Sequence, residues 1–104
     1  MDDIFSQMIS QYNVTMKVVT LPGGTPTQLC ESNPKRWGLM IGSVSGNAVW
    51  GLNSNVGLAV NGFLLPALPQ FFNLRDHASL PQQEFWALEA FGTNVNVLEI
   101  IKVS

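Results

Sequence analysis

Charge is what this chain has least of. Asp, Glu, Lys and Arg make up 12% of its 104 residues, about half the roughly 25% usual in a soluble domain. The five basic residues, Lys17, Lys35, Arg36, Arg75 and Lys102, are scattered, and the formal net charge is −2. Phosphate recognition needs clustered positive charge, so nucleic-acid binding is excluded. The acids are equally dispersed, which excludes an acidic tail. Cys30 is the sole cysteine, ruling out an intrachain disulfide or a thiolate-rich zinc site and leaving a small core hydrophobe. His77 is the sole histidine, so a histidine metal site would need carboxylates that lie far apart along the chain. No apolar run approaches the roughly 18 residues of a membrane span. The acidic start, Met1-Asp2-Asp3, lacks the positive region of a secretory signal. No metal, cofactor, membrane or small-molecule substrate is expected.

What remains is a set of short apolar runs separated by Gly, Asn and Pro. The length suits one domain. Ile4, Phe5, Met8, Ile9 and Tyr12 recur at helical spacing behind Asp2 and Asp3, which can cap a first turn. Residues 1–13 therefore read as a short helix or arm, lying either on its own core or on a neighbouring subunit. Residues 14–104 read as a single β domain.

From Val14 the period changes to two. Val14, Met16 and Val18 form one side, opposite Thr15 and Lys17, of a half-buried strand that ends before Pro22-Gly23-Gly24. A short strand is expected over residues 28–31. Trp37 to Ser43 lacks charge on both sides and predicts a central strand. Ser45-Gly46-Asn47 predicts a hairpin from it into Ala48 to Leu52. Residues 53–62 read as a loop with one short strand, and brief strands flank Pro66-Ala67-Leu68-Pro69. After a polar turn over residues 75–83, residues 84–90 and 94–103 predict a closing hairpin through Phe91-Gly92-Thr93. The last strand is again apolar on both faces. Seven or eight short strands, with turn signals about every 8–12 residues, predict an all-β antiparallel sandwich or small barrel.

Chemistry is thin. Arg75-Asp76-His77 has no Ser or Cys in a nucleophile setting. Glu84 and Glu89, five apart in one strand, point to opposite faces and cannot act as a pair. Pro22-Gly23-Gly24-Thr25 lacks the lysine and spacing of a phosphate loop. Trp37, Trp50 and Trp86 each sit in an apolar strand pattern where core burial is the default. Phe71 and Phe72 are neighbours in an extended segment, so one of them lacks cover unless a loop folds over it.

The order of motifs from Asn33 onward resembles a group of small phage virion proteins encoded among head and tail genes. The matching pieces are Asn33-Pro34-Lys35-Arg36 before Leu39-Met40-Ile41, then Val49-Trp50-Gly51-Leu52. The region around Pro66 follows, with Phe85-Trp86-Ala87-Leu88 and the closing run Gly92-Thr93-Asn94-Val95-Asn96-Val97-Leu98-Glu99. Together they cover about two thirds of the chain. The N-terminal stripe and the Pro-rich segment depart from many relatives.

The resemblance implies a non-enzymatic capsid decoration or cement protein that forms a homo-oligomer, a trimer, and binds the major capsid protein on the virion surface after synthesis in the host cytoplasm. It also implies structural roles for Asn33 and Pro34, as a turn, and for Arg36, as a loop anchor bonded to carbonyls. Ile4, Phe5, Met8, Ile9 and Tyr12, with Phe71 and Phe72, are the expected subunit or capsid contacts. The alternative on the same fold is a carbohydrate- or receptor-binding head-fibre or tail module presenting one Trp with nearby Asn side chains.

Overall fold

Alternating runs punctuated by turn residues do fold as strands, and they stack in two layers. The computed structural model describes residues 11–57 and 62–103. The strands are β1 (Tyr12–Leu21), β2 (Thr27–Cys30), β3 (Arg36–Ser43), β4 (Ala48–Gly51), β5 (Phe63–Leu65), β6 (Gln70–Asn73), β7 (Phe85–Leu88) and β8 (Thr93–Lys102). The first sheet has the order β1-β8-β3-β6 and the second β2-β7-β4-β5, with every strand pair antiparallel. The expected all-β sandwich is thus the architecture. The helical stripe Ile4, Phe5, Met8 and Ile9 lies outside the described residues. Tyr12 opens β1, opposite Lys102, and so belongs to the sheet.

Period-two alternation decides what enters the core. Leu39 and Ile41 of β3, Val95 and Val97 of β8, Leu21 of β1 and Phe72 of β6 face inward from the first sheet. Leu29, Ala48, Trp50, Leu65, Phe85 and Ala87 meet them from the second. The Trp50 ring stacks on Phe85 at 5.3 Å between centroids and meets Phe72 edge-on at 5.2 Å. Each large side chain so buried contributes about 1.5–3 kcal/mol. Cys30 joins this core, as expected.

Neither expected hairpin forms. β3 and β4 lie in different sheets, as do β7 and β8. After Ser43 the chain is held against strands of both layers. The Ser43 hydroxyl donates to the Leu65 carbonyl at 2.7 Å and accepts from Gly46 N–H at 3.0 Å, while Val44 N–H donates to the Asn94 carbonyl at 2.9 Å. Gly46, at φ 75°, completes the bend. Ala48 and Trp50 can then face Leu39 and Ile41 from across the core, burying more apolar surface than a hairpin lying in one plane. The β7–β8 connection works likewise. Gly92 adopts φ 88°, and the Glu89 side chain accepts from Phe91 N–H at 2.8 Å.

The polar stretch after β6 is more ordered than a simple turn. It forms α1 (Leu74–His77) and a 3-10 turn (Leu80–Gln82). Asn73 caps α1, its side-chain oxygen accepting from Asp76 N–H at 2.8 Å. Residues 53–57, the described start of the loop expected to hold a short strand, contain none.

Candidate functional site

Strand register, carried outward from the core, defines the most distinctive surface. Residues directly opposite in antiparallel strands share a face. Met16 of β1 stands opposite Leu98 of β8, Leu98 opposite Met40 of β3, and Met40 opposite Phe71 of β6. One apolar row therefore crosses all four strands on the side away from the core. Beside it, Val14 pairs with Ile100 and Val18 with Asn96. Trp37 fills the end of the face, 6.2 Å from Tyr12 and 6.0 Å from Phe71 between ring centroids.

This face is open. Met16 is 75% exposed, Val14 61%, Val18 60% and Phe71 37%. Lys102, opposite Tyr12 at the rim, is the only charged side chain the register puts on it among the described residues. The second sheet is only partly covered: Val49, Val56 and Leu88 on its outer side form a small buried cluster with Trp86 against it, while Leu64, opposite Val49, stays 60% exposed.

The strand β1 was expected to bury Val14, Met16 and Val18. Its apolar side instead points away from the sandwich, and the inward side carries Val19 and Leu21 into the core. Alternation gives the two sides of a strand but not which one meets the other sheet. Phe71 and Phe72 divide as their adjacency requires, Phe72 inward and Phe71 outward. Val14, Met16, Val18, Met40, Leu98, Ile100 and Trp37 were not singled out as contacts. The available signal was that β1, β3 and β8 are apolar at even positions where no second layer is accounted for.

The tryptophans do not form one platform, and only Trp50 is a core residue. Trp37 and Trp86 are half-buried on the outer sides of different sheets, and Trp86 donates its indole N–H to Glu84 at 3.0 Å. An outward turn leaves each ring one packed side, which apolar patterning alone does not distinguish from burial.

Among the described residues, Arg36 is the one fully buried cation. Its Nη1 donates to the carbonyls of Pro81 at 3.0 Å and Gln83 at 3.1 Å, and its Nη2 to the carbonyl of Glu31 at 2.6 Å. Glu99 lies 3.5 Å from Nη2. The planar fork thus ties the loop before β7 and the end of β2 to β3. Asn33 makes the preceding turn: its side-chain oxygen accepts from Lys35 N–H at 2.9 Å and its carbonyl from Arg36 N–H at 3.1 Å, with Pro34 exposed between them.

A cleft of about 440 Å³ beside Arg36 is lined by Lys17, Gln28, Cys30, Glu31 and Glu99. Two cations and two carboxylates balance there, and the guanidinium is occupied by the chain's own carbonyls. Burial pushes the Cys30 thiol up, outweighing the nearby Arg36 charge, which favours the thiolate. A protonated, enclosed sulfur is a poor nucleophile. At the far side, the His77 ring nitrogen Nδ1 accepts from Asn73 N–H at 3.1 Å, and Asp76 is held low by its bonds to Arg75 and Asn73. These groups are engaged in capping α1. Among the described residues, no three His, Cys, Asp or Glu side chains gather as a metal site, and no helix is long and apolar enough to cross a membrane.

No family model matches the chain, and no curated protein or solved structure matches it.

Proposed function

We propose that the protein is a non-enzymatic structural subunit of a phage virion, a decoration or cement protein whose first sheet lies outer face down on the major capsid protein. The carrying observation is the Met16–Leu98–Met40–Phe71 row with its flanking Val14, Val18 and Ile100, a continuous apolar face that the described chain leaves uncovered. Apolar patches of this kind mark interaction surfaces, because leaving them in water forgoes about 25 cal/mol for each Å². A broad sheet face presenting large side chains suits an extended protein surface, and binding there strengthens a shell by mass action on its assembled state. The low charge of the whole chain fits a protein that works while packed among others. The phage setting rests on the order of motifs from Asn33 to Glu99.

The test is a heat challenge of expanded shells assembled from a phage major capsid protein. Shells incubated with the protein are expected to retain it through sedimentation and to break open at a higher temperature. Shells that neither hold the protein nor gain heat resistance would remove the reading.

A further inference from the structure

The first sheet has an edge as well as a face, and the two are chemically separate. Gln11 accepts through its carbonyl from Val103 N–H at 2.9 Å, so the main chain of residue 11 faces β8. The β1–β8 register is unbroken. Main-chain direction alternates along a strand, which turns residues 13, 15, 17 and 19 toward β8. Tyr12, Val14, Met16, Val18 and Thr20 then direct their N–H and C=O groups to the open side. The other side of β8 agrees, since Lys102 N–H donates across to the Lys35 carbonyl at 2.7 Å.

Edges of this length are normally blunted by proline, charge, a bulge or a covering loop. β1 has no Pro or Gly, and Lys17 is its only charge. The remaining edges are blunted: β5 has three residues, β6 runs into α1 after four, and β2 is broken by a bulge between Gln28 and Cys30. Among the described residues, β1 is the one long open edge.

We propose that β1 pairs antiparallel, across a two-fold axis, with β1 of a second copy of this chain, joining two first sheets into one. An axis normal to the sheet keeps both apolar faces on the same side, so even residues stand opposite even residues. Centring the pair on Lys17 would place two ammonium groups in direct opposition, which is destabilising. Centring it on Met16 gives the longest remaining overlap. Met16 then stands opposite Met16 of the second copy, Val14 opposite Val18, and Tyr12 opposite Thr20. Lys17 meets Thr15. Every even residue in this overlap exchanges main-chain hydrogen bonds, and the apolar row doubles in width. Isologous pairing of one edge closes at two copies, which departs from the trimer implied by the phage resemblance. The edge acts independently of whatever the face binds, so either can fail alone.

Sedimentation equilibrium of the full chain is expected to give twice the 11.4 kDa chain mass. Met16→Pro removes an N–H that serves only the open edge and leaves the β8 ladder whole; it should return the mass to one chain with an unchanged far-UV spectrum. Leu98→Glu, on the face and one strand in from the edge, leaves the main-chain groups of β1 untouched and should keep the dimer. Met16→Cys should crosslink to itself under mild oxidation, because opposed hydrogen-bonded residues sit about 5.5 Å apart, within the roughly 4.4–6.8 Å that a disulfide spans. Thr20→Cys should not, and Cys30 is buried. A monomeric or trimeric wild type overturns the pairing, as does a Met16→Cys chain that stays uncrosslinked. A dimer that dissolves in Leu98→Glu but survives Met16→Pro would place the interface on the face, overturning the edge while leaving the docking face standing.

Discussion

The Phe71 ring lies over the backbone of Gly38: its Cε1 atom is 2.9 Å from where a β-carbon on that glycine would stand. The Ile100 Cδ1 atom closes the same gap at 3.3 Å. A missing side chain on β3 thereby lets an aromatic from β6 lie flat and reach Trp37. The outer face owes its smoothness to this contact.

Gly38→Val should lift the Phe71 ring and roughen the face. Overpacking of this kind costs about 1–3 kcal/mol, read as a lower urea midpoint with a shifted tryptophan emission from Trp37. An unchanged midpoint and spectrum would contradict the packing described.

Arg36→Met should destabilise the fold by about 3–5 kcal/mol, since it strips bonds from three carbonyls and leaves Glu99 without its cation. Arg36→Lys should recover only part of the loss, because a point ammonium cannot reproduce the fork that reaches Pro81, Gln83 and Glu31 together. Denaturant unfolding of the two variants checks both the size and the order.

The buried Cys30 thiol gives a pH dependence of definite sign. Its folded pKa lies above the ordinary 9.0, so above that pH the unfolded chain loses a proton that the folded chain keeps. The Cys30 contribution is therefore fully present below pH 9.0 and declines as pH rises through the window up to the folded value. Cys30→Ala should flatten the alkaline limb relative to wild type in melts across that range. Parallel curves would show that the thiol titrates alike in both states.

Leu98→Glu sets a carboxylate in the middle of the apolar row without entering the core. Folding stability should fall by about 1 kcal/mol or less, whereas shell binding should weaken at least tenfold, because an unpaired charge would be buried on docking. Retained binding would show that the face is not the contact.

Strand content was legible because Val, Ile, Trp and Phe alternate between glycine and asparagine turns, and the central position of β3 followed from its lack of charge on either side. The pairing was not. Ser45-Gly46-Asn47 has the composition of a hairpin turn, yet the hydroxyl of Ser43 and the start of β8 hold it as a bridge between layers, contacts that are remote in sequence. The outward apolar face was hidden for a related reason. Val14, Met16 and Val18 carry the pattern of a buried side, and only the position of the second sheet reveals that they look outward. That Phe71 and Phe72 would divide between the two sides was legible, because adjacent aromatics in a strand cannot share a side; that Phe71 is the outward one was not.

The most direct measurement of the proposed virion role is a density map of phage particles incubated with the protein, at a resolution that traces its strands. The outer side of the first sheet should be seated on the major capsid protein, with Met16, Leu98, Met40 and Phe71 enclosed in the contact. A map in which that row faces solvent while another surface makes the attachment would contradict the account.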